Sequence, residues 1–153
     1  MNPCLPRSPT HAIWPSRVTD PARFSQGELP PAATLLGRRL LGFDAESGRA
    51  TLTFLARPEF GNRHGTVQGG ILAAMLDSAA GVAVMASLRP HLTAVTVQLN
   101  TSFVRPAPLG SLRAEARLVA IDDRKAEVEA EISTPEGEIV ARAMAILRIL
   151  ERK

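Results

Sequence analysis

The sequence predicts an α+β domain in which a curved antiparallel β-sheet is wrapped around one long central helix. Residues 71–88 are apolar on nearly every side, which predicts a helix buried all round. The segments on both sides of this helix alternate between apolar and polar residues, which predicts strands. Because one flat sheet covers a single side of a helix, the sheet must curl around it.

The chain before the helix divides into two parts. Residues 1–31 hold seven of the twelve prolines and show no apolar periodicity, which predicts an irregular N-terminal extension. The folded domain is predicted over residues 32–153. It begins with a short helix over residues 32–36, followed by strands over residues 38–44 and 50–55 that form a hairpin.

Four strands are predicted after the helix, over residues 93–104, 111–121, 125–133 and 139–150. The second and third are joined by a short turn and are therefore antiparallel neighbours. Charged side chains on these two strands would face each other on a solvated surface of the sheet. They are Arg113, Glu115 and Arg117 on one strand and Glu127, Glu129 and Glu131 on the other.

Composition excludes several classes of protein. A chain of 153 residues with 45% hydrophobic and 22% charged residues is typical of one globular domain. No Lys/Arg run and no Tyr occur, so nucleic acid is not an expected partner. Asp77 would cost roughly 2.5–3.5 kcal/mol at the centre of a bilayer, so no membrane association is expected. The only cysteine, Cys4, predicts no disulfide, no metal site and a cytoplasmic location.

The most specific motif spans residues 62–77. It reads Asn-Arg-His-Gly-Thr-Val-Gln-Gly-Gly-Ile-Leu-Ala-Ala-Met-Leu-Asp, and Val-Thr-Val-Gln-Leu-Asn follows at residues 95–100. Both stretches resemble hotdog-fold acyl-CoA thioesterases of the phenylacetate-degradation (PaaI-like) type, over roughly residues 35–150. The resemblance implies hydrolysis of an acyl-CoA thioester to a free acid and coenzyme A by a homo-oligomer, either a dimer or a dimer of dimers. It implies no cofactor, because coenzyme A is part of the substrate.

Two residues carry the implied chemistry. The resemblance implies that the Gly69 N–H polarises the thioester carbonyl and that Asp77 is the nucleophile or general base. Unpaired N–H groups at a helix start suit a developing oxyanion, and an isolated carboxylate in an apolar helix is costly unless it has a function. The alternatives are that the glycines only permit close packing, and that a backbone N–H or an arginine holds Asp77.

Three polar residues complete the implied catalytic set. Asn62 matches a residue that orients the acid or the attacking water, although an Asn in a turn needs no such role. Thr96 matches a hydroxyl near the acid. Many relatives carry His where this chain has Gln68, which forms hydrogen bonds but cannot transfer a proton at neutral pH. Ser78 is expected to pack or to bond to its own helix backbone.

Four further residues are expected to contact the substrate. Gly70 lets a substrate approach the backbone closely, and His64 lies in the loop beside the motif. Val97 lies on the strand that follows the helix, and Arg105 at that strand's end is a candidate for a coenzyme A phosphate.

The spacing of the motif predicts how the protein assembles. Gly69 and Asp77 lie about 12 Å apart along one helix, whereas two groups that act on one thioester must lie within about 3 Å of its reacting atoms. The acid must therefore come from a second copy, and the site is expected at a twofold interface. Two other functions remain as alternatives to thioester hydrolysis. The first is a non-catalytic hotdog protein that binds acyl-CoA or lipid, and the second, ranked last, is a hotdog hydratase.

Overall fold

A computed structural model describes residues 28–153. In chain order its elements are helix α1 (Pro31–Leu35), strands β1 (Arg39–Asp44) and β2 (Arg49–Ala56), a 3-10 turn (Pro58–Phe60), helix α2 (Gly69–Ser87), and strands β3 (Leu92–Phe103), β4 (Gly110–Ile121), β5 (Lys125–Ser133) and β6 (Ile139–Glu151). Each predicted element is present with ends within two residues of the predicted ones. The expectations for Cys4 and for most of the N-terminal extension fall on residues 1–27, outside the described part.

The six strands form one antiparallel sheet in the order β1-β2-β4-β5-β6-β3. Strand β3 joins the far side of the sheet, beside β6, because helix α2 carries the chain across the sheet between β2 and β3. Helix α2 packs against five strands, β2 to β6. The sheet therefore curls around the helix as predicted, and β1 and β3 are left as its two edges.

Helix α2 is the core helix of this fold. By length and composition it could also cross a membrane, but half of its most apolar 18-residue stretch is buried inside the domain. Its buried residues face the inner sides of the strands, where the largest buried side chains lie. On the helix these residues are Leu72, Met75, Leu76, Ala79, Ala80, Val82, Ala83, Val84 and Ala86.

The expectation that α2 is buried on every side is wrong for one stripe of the helix. This stripe is exposed or half-buried and follows helical spacing, and its members are Gly70, Ala74, Asp77, Ser78, Gly81 and Met85. The sheet of one chain reaches around the rest of the helix only. A helix stripe that is mainly apolar or glycine and left open in this way indicates that something else covers it.

The outer surface of the sheet carries the predicted charges, which face each other across β4 and β5. Arg117 and Glu129 are direct partners, with 2.8 Å between nitrogen and oxygen. Glu115, however, lies opposite Glu131, and contacts Arg113 at 3.1 Å and Arg49 at 3.6 Å. A β-bulge between Leu118 and Ala120 shifts the pairing that starts at the turn, and this shift places Arg117 opposite Glu129. Exposed ion pairs of this kind add little to stability, so the surface needs no functional explanation.

A β-bulge interrupts strand β3. Thr96 pairs with Leu147 and Gln98 pairs with the preceding residue Ile146, so Val97 is the extra residue. Before the bulge, Thr96 shares the inner face with buried Leu147. After the bulge the odd-numbered positions face inward, up to Phe103 opposite buried Ala141.

Candidate active site

Asp77 faces an open cleft of about 560 Å³ between helix α2 and strand β3. Thr96 lines the same cleft from the strand. Two further polar side chains, Arg38 and Ser78, line it as well, and Glu28 lies at its rim. The remaining wall is mainly apolar and is formed by Leu29, Pro30, Gly81, Val82, Met85, Ala94, Val95 and Leu147. The fold therefore brings two of the predicted catalytic residues into one cleft, together with an arginine.

The carboxylate of Asp77 is not satisfied by the chain that carries it. Its Oδ1 atom is buried and accepts no hydrogen bond from any described residue. Neither structural alternative, a backbone N–H or an arginine, provides a donor to this oxygen. A buried acceptor without a donor is costly, which favours a role in which substrate, water or a second subunit supplies the partner.

Arg38 contacts the neighbour of Asp77 instead. Its Nη1 donates a hydrogen bond to Ser78 Oγ at 3.0 Å. Burial lowers the pKa of the Arg38 guanidinium from its ordinary value. Ser78 was expected to pack or to bond to its own helix, and it accepts this bond from β1's N-terminal neighbour instead. No sequence signal pairs two residues 40 positions apart, so sequence reasoning missed Arg38.

The start of helix α2 presents free donors. Gln68 is the N-cap residue, and its side chain makes no capping hydrogen bond. The Gln68 N–H donates to Phe60 O at 2.8 Å, whereas those of Gly69 and Gly70 have no acceptor within residues 28–153. The two glycines form the first turn of the helix, which begins two residues before the predicted start at Ile71. The free N–H groups are what an oxyanion site requires.

Gly69 has a close neighbour, whereas Gly70 has none. A Cβ atom on Gly69 would lie 3.3 Å from Cζ of Phe103, whose ring packs against this position. A Cβ on Gly70 would meet nothing within 4 Å. The absence of a side chain at Gly69 therefore allows Phe103, the last residue of β3, to approach the helix start. The surface around Gly70 is open, as contact between Gly70 and a substrate requires.

Asn62 organises the loop that leads to the helix. Its Oδ1 accepts hydrogen bonds from the N–H of His64 at 2.9 Å and of Thr66 at 3.2 Å. Its Nδ2 donates to Thr66 Oγ1 at 2.9 Å. In the single chain Asn62 thus has a structural role in the turn, and its catalytic role stays a prediction.

The other predicted contact residues are dispersed over the surface of one chain. His64 and Gln68 are exposed in the loop before α2. Val97 is 59% exposed at the bulge of β3. Arg105 follows that strand and lies 3.9 Å from Glu138 in an exposed ion pair. A single chain therefore does not gather these residues around Asp77.

Two half-sites result from this arrangement. Gly69 is at the first position of α2 and Asp77 lies two turns later, about 12 Å along the axis. The loop residues gather at the helix start, and Thr96 lies with Asp77.

Within residues 28–153, no three His, Cys, Asp or Glu side chains group so that they could hold a metal ion.

The chain belongs to the thioesterase superfamily, whose sequence profile matches residues 64–141. This stretch contains the helix start, Asp77 and Thr96, and its family supports a hydrolase that acts on thioesters.

Individual relatives agree with this membership. A protein of Ralstonia eutropha JMP134, described as phenylacetic acid degradation-related and provisionally as a thioesterase, is 39% identical; the match covers 83% of this chain and 97% of that one, with a TM-score of 0.78. A provisionally named esterase of Saccharolobus solfataricus is 28% identical over 108 residues, 71% of this chain and 76% of its own length. The E. coli PaaI protein, 23% identical with 84% and 88% of the two chains covered and a TM-score of 0.73, shares the fold. The predicted hotdog fold and PaaI-like resemblance are therefore confirmed.

Proposed function

We propose that the protein hydrolyses acyl-CoA thioesters at a site shared by two copies of the chain. The observation that carries this proposal is the Asp77 carboxylate, which has a buried, unpartnered oxygen in an open cleft. Membership of the thioesterase superfamily supports the type of reaction. The acyl-CoA substrate is proposed because the motif resembles that of acyl-CoA thioesterases.

The reaction needs one donor and one acid. The thioester carbonyl oxygen accepts a hydrogen bond from the Gly69 N–H, which stabilises the negative charge that develops there. Asp77 of the other copy then acts in one of two ways. It attacks the carbonyl carbon and expels the coenzyme A thiolate, and water hydrolyses the resulting anhydride. Alternatively it takes a proton from a water molecule, which attacks the carbonyl carbon directly; the C–S bond then breaks, and the coenzyme A thiolate leaves and is protonated.

The remaining residues arrange polar contacts around these two groups. Thr96 lines the cleft of Asp77 and offers a hydroxyl to the acid or to the attacking water. Asn62 and Gln68 lie at the helix start, on the same half-site as Gly69, and Gln68 takes part by hydrogen bonding alone because its amide does not titrate. We place His64, Gly70, Val97 and Arg105 in contact with the substrate, with Arg105 near a phosphate.

Two surfaces support assembly through a second copy. Strand β3 is an edge of 12 residues, on which Val95 is 47% and Val97 59% exposed. A long apolar edge strand is a liability unless it is covered. The open stripe of α2 that carries Asp77 lies beside this strand. A twofold dimer that covers both surfaces would bring each Asp77 towards the helix start of the partner.

A non-catalytic acyl-CoA or lipid-binding protein is the second candidate. Gln68 favours it, because many relatives have His at this position. In both cases we expect no cofactor, a cytoplasmic location and no nucleic acid or membrane partner.

A panel of acyl-CoA substrates separates these two functions. Short, medium, long and aryl acyl groups are offered, and release of the free thiol is measured for the wild type and for the Asp77→Asn variant. We expect turnover that depends on Asp77, and the ranking of substrates reports the shape of the pocket. Binding of several acyl-CoAs without thiol release above the Asp77→Asn background would support the binding protein instead.

A further inference from the structure

The cleft beside Asp77 contains a cation that the proposed reaction does not use. Arg38 lies just before strand β1 and is half-buried against helix α2. Its side chain makes one hydrogen bond, to the neutral Ser78 hydroxyl, and forms no ion pair within residues 28–153. Half-buried charges are normally paired with an opposite charge. An unpaired one on the wall of a cleft indicates a ligand of opposite charge.

The neighbouring arginine lies on the other face of the sheet. Arg39 is exposed and pairs across the ladder with Thr53, on the outer side of the sheet. Arg38 instead points to the helix, where desolvation lowers its pKa. The chain thus places one of two adjacent arginines in water and the other in the cleft. Alternation along the strand puts the two side chains on opposite faces, and Arg38 is the one that faces the helix.

The position of Arg38 relates it to the acyl group. Ser78 follows Asp77 directly in α2, so the guanidinium bonded to Ser78 lies close to the place where the reacting carbonyl would meet Asp77. An acyl group whose carbonyl meets Asp77 and whose chain extends into this cleft would therefore come near Arg38. Beyond this point the wall is apolar, with Val82 and Met85 one and two turns further along the helix.

Two carboxylates also face the cleft. They are Asp77 on the helix and Glu28 at the rim, and neither forms an ion pair with Arg38. A negatively charged acyl group would be repelled by both unless a cation offset them. Arg38 is the only cationic side chain among the described residues that line this cleft.

We propose that Arg38, held by Ser78, makes this cleft selective for acyl groups that carry a second carboxylate a few bonds from the thioester, that is, for short dicarboxylic acyl thioesters. The planar guanidinium has donors left after the bond to Ser78 and matches a carboxylate in a two-pronged arrangement. This selectivity rests on the proposed function for its thioester, but binding of the acyl group does not require hydrolysis. Arg38 is a specificity-determining residue in this proposal, and the proton transfers remain with Asp77.

The test compares pairs of ligands that differ only in the second carboxylate. Glutaryl-CoA is compared with pentanoyl-CoA and adipyl-CoA with hexanoyl-CoA, both as thioesters for kcat/KM and as non-hydrolysable thioether analogues for Kd. The variants are Arg38→Gln and Arg38→Lys, with Arg39→Gln as the matched control. Circular dichroism and the elution volume on size exclusion check that each variant is folded and assembled.

We expect the wild type and Arg39→Gln to favour the dicarboxylic member of each pair, and Arg38→Gln to lose about tenfold or more of this preference. Arg38→Lys keeps the positive charge but lacks the planar guanidinium, so this variant should retain part of the preference. If Arg38→Gln does not fold, the test rests on Arg38→Lys and on the same quantity, the ratio of kcat/KM or of Kd between the two members of each pair. No preference in the wild type, or one that Arg38 variants leave unchanged, overturns the proposal. A preference seen with thioether analogues but without hydrolysis of the thioesters upholds it and contradicts the proposed thioesterase activity.

Discussion

Asp77 and Thr96 face the same cleft from two different elements, the acid from helix α2 and the hydroxyl from strand β3. The acid has a buried oxygen without a donor, and the hydroxyl is a donor on the opposite wall. A water molecule or a thioester between them could contact both. This arrangement makes the cleft, and not the helix start alone, the place to test the chemistry.

Replacing Asp77 by Asn is expected to lower kcat by on the order of a hundredfold or more, because the carboxylate acts only in the transition state. Stability should be unchanged or slightly higher, since the substitution removes a charge that has no partner for Oδ1 in the chain. Thiol release and thermal unfolding measure the two effects. Asp123→Asn, at an exposed position, is the control, and a folded Asp77→Asn protein with wild-type turnover would remove Asp77 from the mechanism.

Mixing two inactive variants should restore activity if the site is shared. Asp77→Ala removes the acid, and Gly69→Val places a side chain at the helix start, where even a Cβ lies 3.3 Å from the Phe103 ring. After full subunit exchange half of the dimers are mixed, and each has one intact site, so about a quarter of wild-type activity is expected. Each variant mixed with itself is the control. Proven mixed dimers without activity would contradict the shared site.

Gln68 is expected to act through hydrogen bonds. Gln68→Ala should lose roughly 1–3 kcal/mol of transition-state stabilisation, and Gln68→His should keep substantial activity. Steady-state rates of the three proteins on one substrate at one pH make the comparison. A silent wild type that becomes active as Gln68→His would show instead that the chain is a binding protein whose catalysis was lost with the histidine.

Gly37 ends helix α1 with a left-handed backbone, φ +62°, and a Cβ there would lie 2.8 Å from Cβ of Leu55. Gly37→Ala is therefore expected to lower the free energy of unfolding by about 1–3 kcal/mol, from backbone strain and from displacement of β2. Gly42→Ala is the matched control, because a Cβ at Gly42 meets nothing within 4 Å. Urea unfolding measures both, and equal stability of the two variants would contradict the steric argument.

The order and bounds of the strands and the central helix were predictable, because period-two alternation and an unbroken apolar run report burial directly. The open stripe of α2 was not predictable from the sequence. A residue such as Ala74 or Met85 is apolar whether the sheet, a substrate or a second chain covers it, so the pattern cannot show where one sheet stops. The register between β4 and β5 was not predictable either, because alternating charges are compatible with pairings two residues apart and the sequence does not show the bulge between Leu118 and Ala120.

The candidate site was predictable only where residues are close in sequence or belong to a motif. Gly69 and Asp77 follow from the motif, and the structure shows the free N–H groups and the orphaned oxygen expected of them. Arg38 lies outside every motif, and its contact with Ser78 depends on where the chain enters β1 relative to the helix. Contacts between distant segments depend on tertiary packing, which a single sequence does not encode in a readable period.

The extra residue in β3 has a consequence for how the site can change in evolution. Thr96 and Phe103 are seven positions apart, an odd number, so in a regular strand they would point to opposite sides. The bulge at Val97 lets both point inward, one to the cleft of Asp77 and the other to Gly69. Without Val97 the two residues would be six positions apart, an even number, and the pairs Thr96–Leu147 and Gln98–Ile146 would be consecutive in a regular ladder, so both residues would still point inward. A single-codon deletion at the bulge would therefore straighten the strand and keep both site residues in place, so this strand can gain or lose its extra residue without losing either of them.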